Sequence, residues 1–333
     1  MAEGGVLIIA EPAEERVAPV TLEVLGAGRR LADTLGVPLG VALLGQDVEG
    51  QASDLVARGA DRVDLLADAR LVPYQADTWV PVLADLVRES GATIVLLSHT
   101  QTGREYGTRL AFRLGSGIVT DCSDFRVGDG GRLVAIKPVF GGNAVAEYVV
   151  AGDGPQVASI RPKLLDPAPV LEGHQGEILR RPVQLDESAV RTQAGARVRS
   201  AESGGPDLEN AQRVVAGGRG VGGPENWGLI EDLAQAIGAA VGASRAAVDA
   251  GWVPGPLQVG LTGAKISPQL YIAVGISGAV QHMAGCTGAR TIVAINRDPE
   301  ANIFRHANLG VVGNIKEVLP ALTRKARELT GQS

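Results

Sequence analysis

Aromatic residues and cysteines are scarce in this sequence of 333 residues. Phe, Trp and Tyr make up 3% of the chain, so a surface that stacks on nucleic-acid bases is not expected. The two cysteines, Cys122 and Cys286, lie far apart and have no metal-ligand spacing. They indicate buried packing residues in a reducing compartment rather than a disulfide framework. The net charge of −6 argues against nucleic acid or an anionic membrane as the main partner.

Several sequence features that mark other protein classes are also missing. No basic segment precedes an apolar run at the N-terminus, and no apolar run approaches the roughly 20 residues that span a bilayer, so a soluble, cytoplasmic protein without a transmembrane segment is expected. There is no P-loop and no Gly-x-Ser-x-Gly motif. The four histidines stand apart from one another. Hydrolytic and metal chemistry therefore lack support, and no catalytic or metal-binding residue is predicted.

The first half of the chain alternates short apolar segments with segments of helical spacing. This alternation is typical of βαβ units and of a mainly parallel sheet with helices on both faces. The predicted strands are Val6–Ala10, Leu39–Leu44, Val63–Leu66 and Ile94–Ser98, and the predicted helices are Thr21–Leu35, Gln51–Arg58 and Ala76–Glu89. Gly26-Ala27-Gly28, the nearest match to a nucleotide fingerprint, falls inside a predicted helix and lacks the third glycine, so it indicates helix packing.

The pattern changes after Ile118. Four strand-like segments separated by Gly-rich turns predict an antiparallel extension that completes the first domain: Phe125–Val127, Leu133–Lys137, Ala144–Val150 and Val157–Ile160. The polar, Gly-rich stretch Arg199–Asp207 is the best linker candidate. We therefore predict an N-terminal domain over residues 1–200 and a C-terminal domain over residues 206–333.

The second half begins a new α/β pattern, with 45 glycines in the whole chain favouring tight turns. Its predicted strands are Arg213–Ala216, Gln258–Leu261, Leu270–Val274, Thr291–Ile295 and Leu309–Val312, and its predicted helices are Glu225–Val241, Ser244–Ala250, Gly278–Gly285 and Ile315–Leu329. The predicted fold class is α/β with two domains, each built on a mainly parallel, doubly wound sheet.

Five polar, Gly-rich turns follow strands of the second domain: Gly217–Gly220, Gly242–Arg245, Thr262–Lys265, Gly275–Gly278 and Asn296–Pro299. Ligands of open parallel sheets bind at the carboxyl ends of the strands. The backbone donors, hydroxyls and arginines of these turns suit the pyrophosphate and sugar hydroxyls of a dinucleotide. Ordinary turn chemistry explains the same spacing equally well, so both interpretations stand at this point.

Longer blocks carry a resemblance to a known family. Gln258–Gly263, Pro268–His282 and Thr291–Ala301 resemble the signature of electron transfer flavoprotein alpha subunits. Val215–Gly220 and Val241–Asp249 match two further blocks of that family. The match covers essentially the whole second domain in order, and it extends more weakly to Ile8–Glu11 and Leu114–Gly117.

The resemblance implies that the second domain is a Rossmann-like FAD-binding domain. By that resemblance Arg219 lies near the flavin or pyrophosphate, Arg245 against the isoalloxazine and Thr262 near flavin N5. Ser244 caps a helix and contacts the cofactor, His282 reaches the flavin O2 side, and Asn296 contacts the adenosine half. The phosphate and ribityl chain are lined by Ser277, Gly278, Ala279, Val280 and Gln281, and the remaining cofactor contacts are Val259, Gly260, Leu261, Gly263, Asn314 and Ile315.

Three positions depart from the family pattern. Leu261 stands where Gln is usual, so only a backbone or packing contact remains there. Asn314 replaces a common acidic residue, and Ala264 replaces a frequent Lys. Arg245 is the best candidate for a permanent cation beside the flavin, because a guanidinium does not titrate. His282 is the second candidate, with a charge that varies with pH.

The resemblance also implies a role and partners. The chain would pack through its first domain on a homologous beta subunit that holds AMP or a second FAD. It would carry electrons from dehydrogenases, such as those of fatty acid beta-oxidation, to an acceptor oxidoreductase, and it would transform no substrate itself. The second domain would swing on a hinge at Ser203-Gly204-Gly205. Two alternatives remain: an FAD-dependent oxidoreductase acting on its own substrate, and a nucleotide-binding module without redox work.

Overall fold

The chain forms two compact units. The computed structural model describes residues 4–11, 13, 16–142, 144–195, 208 and 211–330. One unit contains the described residues up to Pro138 and those from Val145 to Gly195, and the other contains the described part of Val139–Ala144 and of the chain from Leu208 onward. The predicted linker Arg199–Asp207, the Ser203–Gly205 hinge and both predicted domain limits lie outside the described residues.

A seven-stranded parallel sheet organises the first unit. Its strands are β1 (Val6–Ala10), β2 (Leu39–Gly45), β3 (Arg62–Ala67), β4 (Ile94–Ser98), β5 (Ile118–Cys122), β9 (Gln156–Ile160) and β10 (Glu177–Arg180). They are ordered β10-β3-β2-β1-β4-β9-β5, and every adjacent pair is parallel. Alternate residues of β1 enter opposite cores, Ile8 on one face and Ile9 on the other. Both faces are therefore covered, as in a doubly wound sheet.

The helices that cover this sheet are α1 (Pro19–Leu35), α2 (Glu49–Ala57), α3 (Ala76–Ser90) and α4 (Gln101–Arg113). Helix α1 begins with Pro19, whose missing N–H costs nothing at the first turn, and it ends at Gly36 in the left-handed region. Gly28 faces the sheet so closely that a Cβ there would lie 2.6 Å from Ile8 Cδ1. The glycine pair of the near-fingerprint therefore lies in a packing surface.

One predicted strand pairs differently from expectation. Val157–Ile160 was predicted in the antiparallel extension, but β9 lies parallel between β4 and β5 in the main sheet. All five of its residues are buried, as expected for a central strand. The antiparallel prediction is right for β6 (Asp124–Val127) and β7 (Leu133–Val139), which form a separate three-stranded sheet with β8 (Ala144–Tyr148). Helix α4 and strands β5 and β10 were not predicted.

A five-stranded parallel sheet organises the second unit. Its strands are β11 (Arg213–Gly217), β12 (Ala240–Ala243), β13 (Leu270–Val274), β14 (Thr291–Asn296) and β15 (Leu309–Val312), and its helices are α5 (Gly228–Ala236), α6 (Arg245–Asp249), α7 (Val280–Met283) and α8 (Ile315–Thr330). The strand order is β12-β11-β13-β14-β15. Val214 and Val215 of β11 enter cores on opposite faces. The α/β class with doubly wound parallel sheets is thus confirmed.

The second unit corrects two predicted elements. The segment Gln258–Leu261 is not a strand but a turn that makes isolated bridges. The predicted helix Glu225–Val241 is α5 followed by β12, because Gly238 adopts a positive φ of 61° and reverses the chain. In the described part of the chain, no helix has the length and apolar character needed to cross a membrane.

Candidate functional site

The candidate site lies at the carboxyl edge of the second sheet. Since all five strands are parallel, their carboxyl ends meet at one edge. In order of appearance the strands are arranged 2-1-3-4-5, so the chain leaves β11 to one side for β12 and returns to the other side for β13. The crevice between β11 and β13 is therefore the topological switch point, where open α/β sheets bind their ligands.

Three glycines form a junction at this switch point, which we call the glycine junction: Gly218, Gly220 and Gly275. The N–H of Gly218 donates to the Val274 carbonyl at 2.8 Å, and that of Gly220 donates to the Gly275 carbonyl at 2.9 Å. A Cβ on Gly220 would lie 2.7 Å from the Gly275 oxygen, and one on Gly275 would lie 2.6 Å from the Gly220 carbonyl carbon. Two backbones thus meet with no room for a side chain, which leaves peptide groups as the lining of the crevice.

A tight loop, Gln258–Gly263, closes one side of the edge. The N–H of Val259 donates to the Ala243 carbonyl at the end of β12, at 2.8 Å. The N–H of Leu261 donates to the Gln281 carbonyl at 2.7 Å, which ties the loop to α7. Gln258 Nε2 donates to Thr262 Oγ1 at 2.9 Å and orients an exposed hydroxyl. Sequence reasoning did not find Gln258, since an amide in an apolar run gives no distinctive signal.

His282 lies on α7 and is only 7% exposed. Its Nε2 is 2.7 Å from the hydroxyl oxygen of Tyr271 on β13, which is fully buried. Burial lowers the pKa of His282 to about 4, although the backbone of Val259 acts in the opposite direction. The imidazole is therefore neutral at pH 7. His282, which was expected to be the second cation, carries no charge at that pH. Its Nδ1 is buried and has no hydrogen-bond partner among the described residues.

Ser244 and Arg245 follow β12. Ser244 occupies the N-cap position of α6, but its hydroxyl makes no cap bond. The Ser244 oxygen is buried without a partner among the described residues. The Ser244 side chain therefore does not cap α6 in this structure, in contrast to the prediction. The Arg245 side chain is 69% exposed, and its Nε lies 3.3 Å from a carboxylate oxygen of Asp249. Its guanidinium is thus directed to the surface of the carboxyl edge beside a buried, unsatisfied hydroxyl.

The remaining predicted residues follow β11, β13, β14 and β15. Arg219 is exposed in the turn beside the glycine junction. The turn after β13 packs on the turn after β14, because the Ile303 N–H donates to the Ser277 carbonyl at 3.0 Å. Asn296 is buried, and its amide donates to the Ile276 carbonyl at 3.0 Å. Asn314 Oδ1 accepts from the Lys316 N–H at 3.1 Å and caps α8, so an amide performs the role that a carboxylate would perform there.

The structure therefore places all the predicted cofactor residues in one unit, on the turns, strand ends and helix starts of one sheet edge. Direct contacts join the Gln258–Gly263 loop to Gln281, and they join Ser277 and Asn296 to neighbouring turns. Arg219, Arg245 and Asn314 lie on other turns of the same edge. A groove of about 470 Å³ between α5 and α8, lined by Asp232, Arg324 and other residues, lies on the outer helices instead.

These features fit a dinucleotide cofactor. Two buried polar atoms, Ser244 Oγ and His282 Nδ1, have no partner among the described residues. Buried polar groups are nearly always satisfied in folded proteins, and at the carboxyl edge a bound ligand can complete the hydrogen bonding of these two atoms. At the glycine junction no side chain keeps a ligand away from the backbone. Arg219 and Arg245 provide exposed cations for a phosphate or a reduced ring.

Comparison with known proteins gives two family matches. Residues 6–186 match the model described as "Electron transfer flavoprotein domain". Residues 207–287 match the model described as "Electron transfer flavoprotein FAD-binding domain". The second match covers the glycine junction, Arg245, the Gln258–Gly263 loop and His282.

Curated relatives match over nearly the full length. The chain is 38% identical over 322 residues to the electron transfer flavoprotein subunit alpha of Thermoanaerobacterium thermosaccharolyticum, covering 97% of each chain. It is 40% identical over 326 residues to Protein FixB of Clostridium saccharobutylicum, covering 98% of this chain and 97% of that protein. It is 38% identical over 324 residues to the electron transfer flavoprotein subunit alpha of Bacillus subtilis, covering 97% and 98%.

Proposed function

The chain belongs to the electron transfer flavoprotein alpha-subunit family, and we propose that it carries electrons from primary dehydrogenases to a downstream acceptor such as a quinone oxidoreductase. Its cofactor is FAD, as the match to the FAD-binding domain indicates. Bound FAD supplies the redox chemistry by accepting and releasing electrons. The observation that carries the proposal is the orphaned pair Ser244 Oγ and His282 Nδ1, both without a partner among the described residues, inside that domain match.

Particular residues would hold the cofactor. The exposed Arg219 at the switch point would bind the pyrophosphate, at the carboxyl edge where doubly wound sheets bind such groups. The Ser277–Gln281 turn would line the phosphate and ribityl chain, and Asn296, Asn314 and Ile315 would contact the adenosine half. The Gln258–Gly263 loop, through the oriented hydroxyl of Thr262, would face the flavin near N5.

Electrostatics assigns different roles to the two basic side chains. A reduced flavin carries negative charge at N1 and O2, so a cation there favours reduction. Arg245 would supply that positive charge through its guanidinium. His282, neutral at pH 7 because burial lowers its pKa to about 4, would supply a hydrogen-bond donor rather than a charge.

We further propose a heterodimer with a homologous beta subunit that holds AMP or a second FAD. The first unit would form the main contact. Its exposed apolar side chains support this role: Phe112 on α4 is 87% exposed and Val145 on β8 is 65% exposed, although large apolar groups are normally covered. Phe112 lines a groove between α3 and α4, and Arg109 and Arg113 of α4 line the same groove.

The test is co-expression of the chain with its beta-type subunit, followed by an absorbance spectrum during stepwise photoreduction. A yellow heterodimer that takes up electrons and passes them to an acceptor protein, with no small substrate consumed, is expected. A colourless complex would refute the FAD assignment and favour a module without redox work. Oxidation of a small substrate by the purified complex alone would favour an FAD-dependent oxidoreductase instead.

A further inference from the structure

Tyr271 and His282 form a buried hydrogen-bonded pair beneath the carboxyl edge. Tyr271 lies in the central strand β13, and its side chain is fully buried. His282 follows it in the chain on α7, and the two polar atoms are 2.7 Å apart. The rings themselves lie 6.1 Å apart between centroids at an angle of 35°, so the contact is a hydrogen bond rather than a stack.

The direction of this hydrogen bond follows from the protons available. Burial raises the pKa of Tyr271 well above 10, so the phenol keeps its hydrogen. In the described part of the chain the Tyr271 hydroxyl has one hydrogen-bonding neighbour, His282 Nε2. A phenol has a single hydrogen to donate, and a neutral imidazole has one donor and one acceptor nitrogen. Donation by the hydroxyl to Nε2 satisfies both groups, and it leaves the imidazole hydrogen on Nδ1.

The Nδ1 nitrogen of His282 then needs a hydrogen-bond acceptor. Nδ1 is buried and carries that hydrogen, yet no described residue accepts it with normal hydrogen-bond geometry. The backbone of Val259 lies close enough to the imidazole to raise its pKa, but it does not accept from Nδ1 with normal geometry. A buried N–H without a well-aligned acceptor is costly, so Nδ1 is placed for a better-aligned acceptor from a ligand. The Gln258–Gly263 loop packs backbone to backbone on the turn just after α7, since a Cβ on Gly285 would lie 2.3 Å from the Gly260 nitrogen.

We propose that Tyr271 is a positioning residue for His282: its hydroxyl donates to Nε2 and thereby keeps the imidazole hydrogen on Nδ1, where an acceptor atom of bound FAD takes it. The proposal rests on the proposed function, because FAD is the group that supplies the acceptor. Tyr271 acts only through His282 and touches no reacting atom.

The first measurement is nitrogen-15 NMR of the histidine side chains, of which the chain has four. In the wild-type protein without FAD, the shifts should show a protonated Nδ1 and an unprotonated Nε2 for His282. Tyr271→Phe should give a mixture of the two tautomers. Addition of FAD should move the Nδ1–H proton signal downfield in the wild type. A wild-type His282 with its hydrogen on Nε2 would overturn the proposal, whether or not FAD binds.

The second measurement is the reduction potential of FAD in the heterodimer with the beta-type subunit. Tyr271→Phe should lower the equilibrium constant for two-electron reduction about threefold to tenfold, which is a shift of about 14 to 30 mV to lower potential. Tyr106→Phe is the matched control, because Tyr106 is equally buried in the first unit and its hydroxyl has no described partner. This control should leave the potential unchanged.

A double variant separates positioning from packing. In the His282→Gln background, the further change Tyr271→Phe should leave the potential where His282→Gln alone puts it. An equal shift in both backgrounds would overturn the proposal, because Tyr271 would then act without His282. If Tyr271→Phe does not fold, the wild-type NMR tautomer decides alone. A wild type that binds no FAD contradicts the proposed function, and the tautomer result still confirms or overturns the hydrogen bond to Nε2.

Discussion

Gly275→Ala is the change that tests the glycine junction most directly. The new Cβ would lie 2.6 Å from the Gly220 carbonyl carbon and 2.8 Å from the Val221 nitrogen, where ordinary contact begins at 3.4 Å. One backbone must therefore move by about 0.8 Å (3.4 − 2.6). Both neighbours are main-chain atoms of the turn after β11, so neither can rotate away as a side chain would. Overpacking of this kind costs about 1–3 kcal/mol.

A positive φ adds a second cost that must be separated from the overlap. Gly275 has a φ of 60°, where a residue with a Cβ is strained by about 1–2 kcal/mol. Gly251, in the same unit, has a φ of 74°, and a Cβ added there would have nothing within 4 Å. Gly251→Ala therefore bears the strain alone. We expect a loss of about 1–2 kcal/mol for Gly251→Ala and of about 2–5 kcal/mol for Gly275→Ala.

The assay is urea unfolding of both variants, followed by titration with FAD. Displacement of the turn after β11 should also weaken FAD binding by Gly275→Ala about tenfold, since each 1.4 kcal/mol changes a dissociation constant by that factor. Gly251→Ala should bind FAD like the wild type. Equal stability losses within about 0.5 kcal/mol, together with equal FAD affinities, would refute the assignment of the crevice between β11 and β13 as the binding edge.

Three further predictions concern single side chains. Arg245→Ala should lower the one-electron potential of bound FAD by about 40 to 170 mV, the limits for a cation 4 Å away in water and at an effective dielectric of 20. Lys325→Ala, an exposed cation on α8, is the control. An unchanged potential in Arg245→Ala would remove Arg245 from this role. Thr262→Ala should shift the flavin absorbance while FAD stays bound, because the hydroxyl is exposed and is held by Gln258 at 2.9 Å. Loss of FAD would contradict this. Burial raises the pKa of Glu11 from 4.5 to about 7, so the folded state binds its proton more tightly than the unfolded state, and stability falls as the pH rises from about 5 to 8. Glu11→Gln should remove about 2 kcal/mol of that fall between pH 5.5 and 8, measured by urea unfolding at these two pH values with the exposed Glu89→Gln as control. An unaltered pH dependence would show that Glu11 is already ionised.

Local pattern was sufficient for most strands and failed where tertiary contact decides. The segment Gln101–Arg113 contains Gly103 and Gly107, which lower helix propensity, so α4 was missed. The structure explains both glycines: a Cβ on Gly103 would lie 1.9 Å from the Ser98 carbonyl oxygen, and one on Gly107 would lie 2.7 Å from Leu97 Cδ1. They allow the helix to lie directly on β4, which is a non-local reason that no single-segment pattern contains.

The opposite error occurred at Gln258–Leu261. Its apolar alternation predicts a strand, but the Ala264 N–H returns to the Gln258 carbonyl at 2.7 Å and closes a loop after six residues. Gly260 and Gly263 permit the loop, because both pack against neighbouring backbone where a side chain would not fit. A resemblance to known sequences located this loop as part of the site, whereas periodicity alone placed it in the sheet.

The site itself was predicted from family resemblance more than from residue chemistry. Nothing in the sequence distinguishes Tyr271 from an ordinary core aromatic in a buried strand, since its partner His282 is found only when the chain has folded. The low pKa of His282 was equally invisible, because burial causes it. The individual cofactor contacts remain predictions, and the variants above test them.

Strand β10 has a consequence for anyone who wishes to study the first unit by itself. It returns from the far end of the segment to pair with β3, and Arg181 beside it reaches the buried carboxylate of Asp64 at 2.8 Å. A fragment that stopped after β9 would lack β10 and leave β3 as the edge strand of the sheet. Its unpaired backbone N–H and C=O groups would then form a template for self-association. Residues up to Gly195 should therefore be retained in any shortened version.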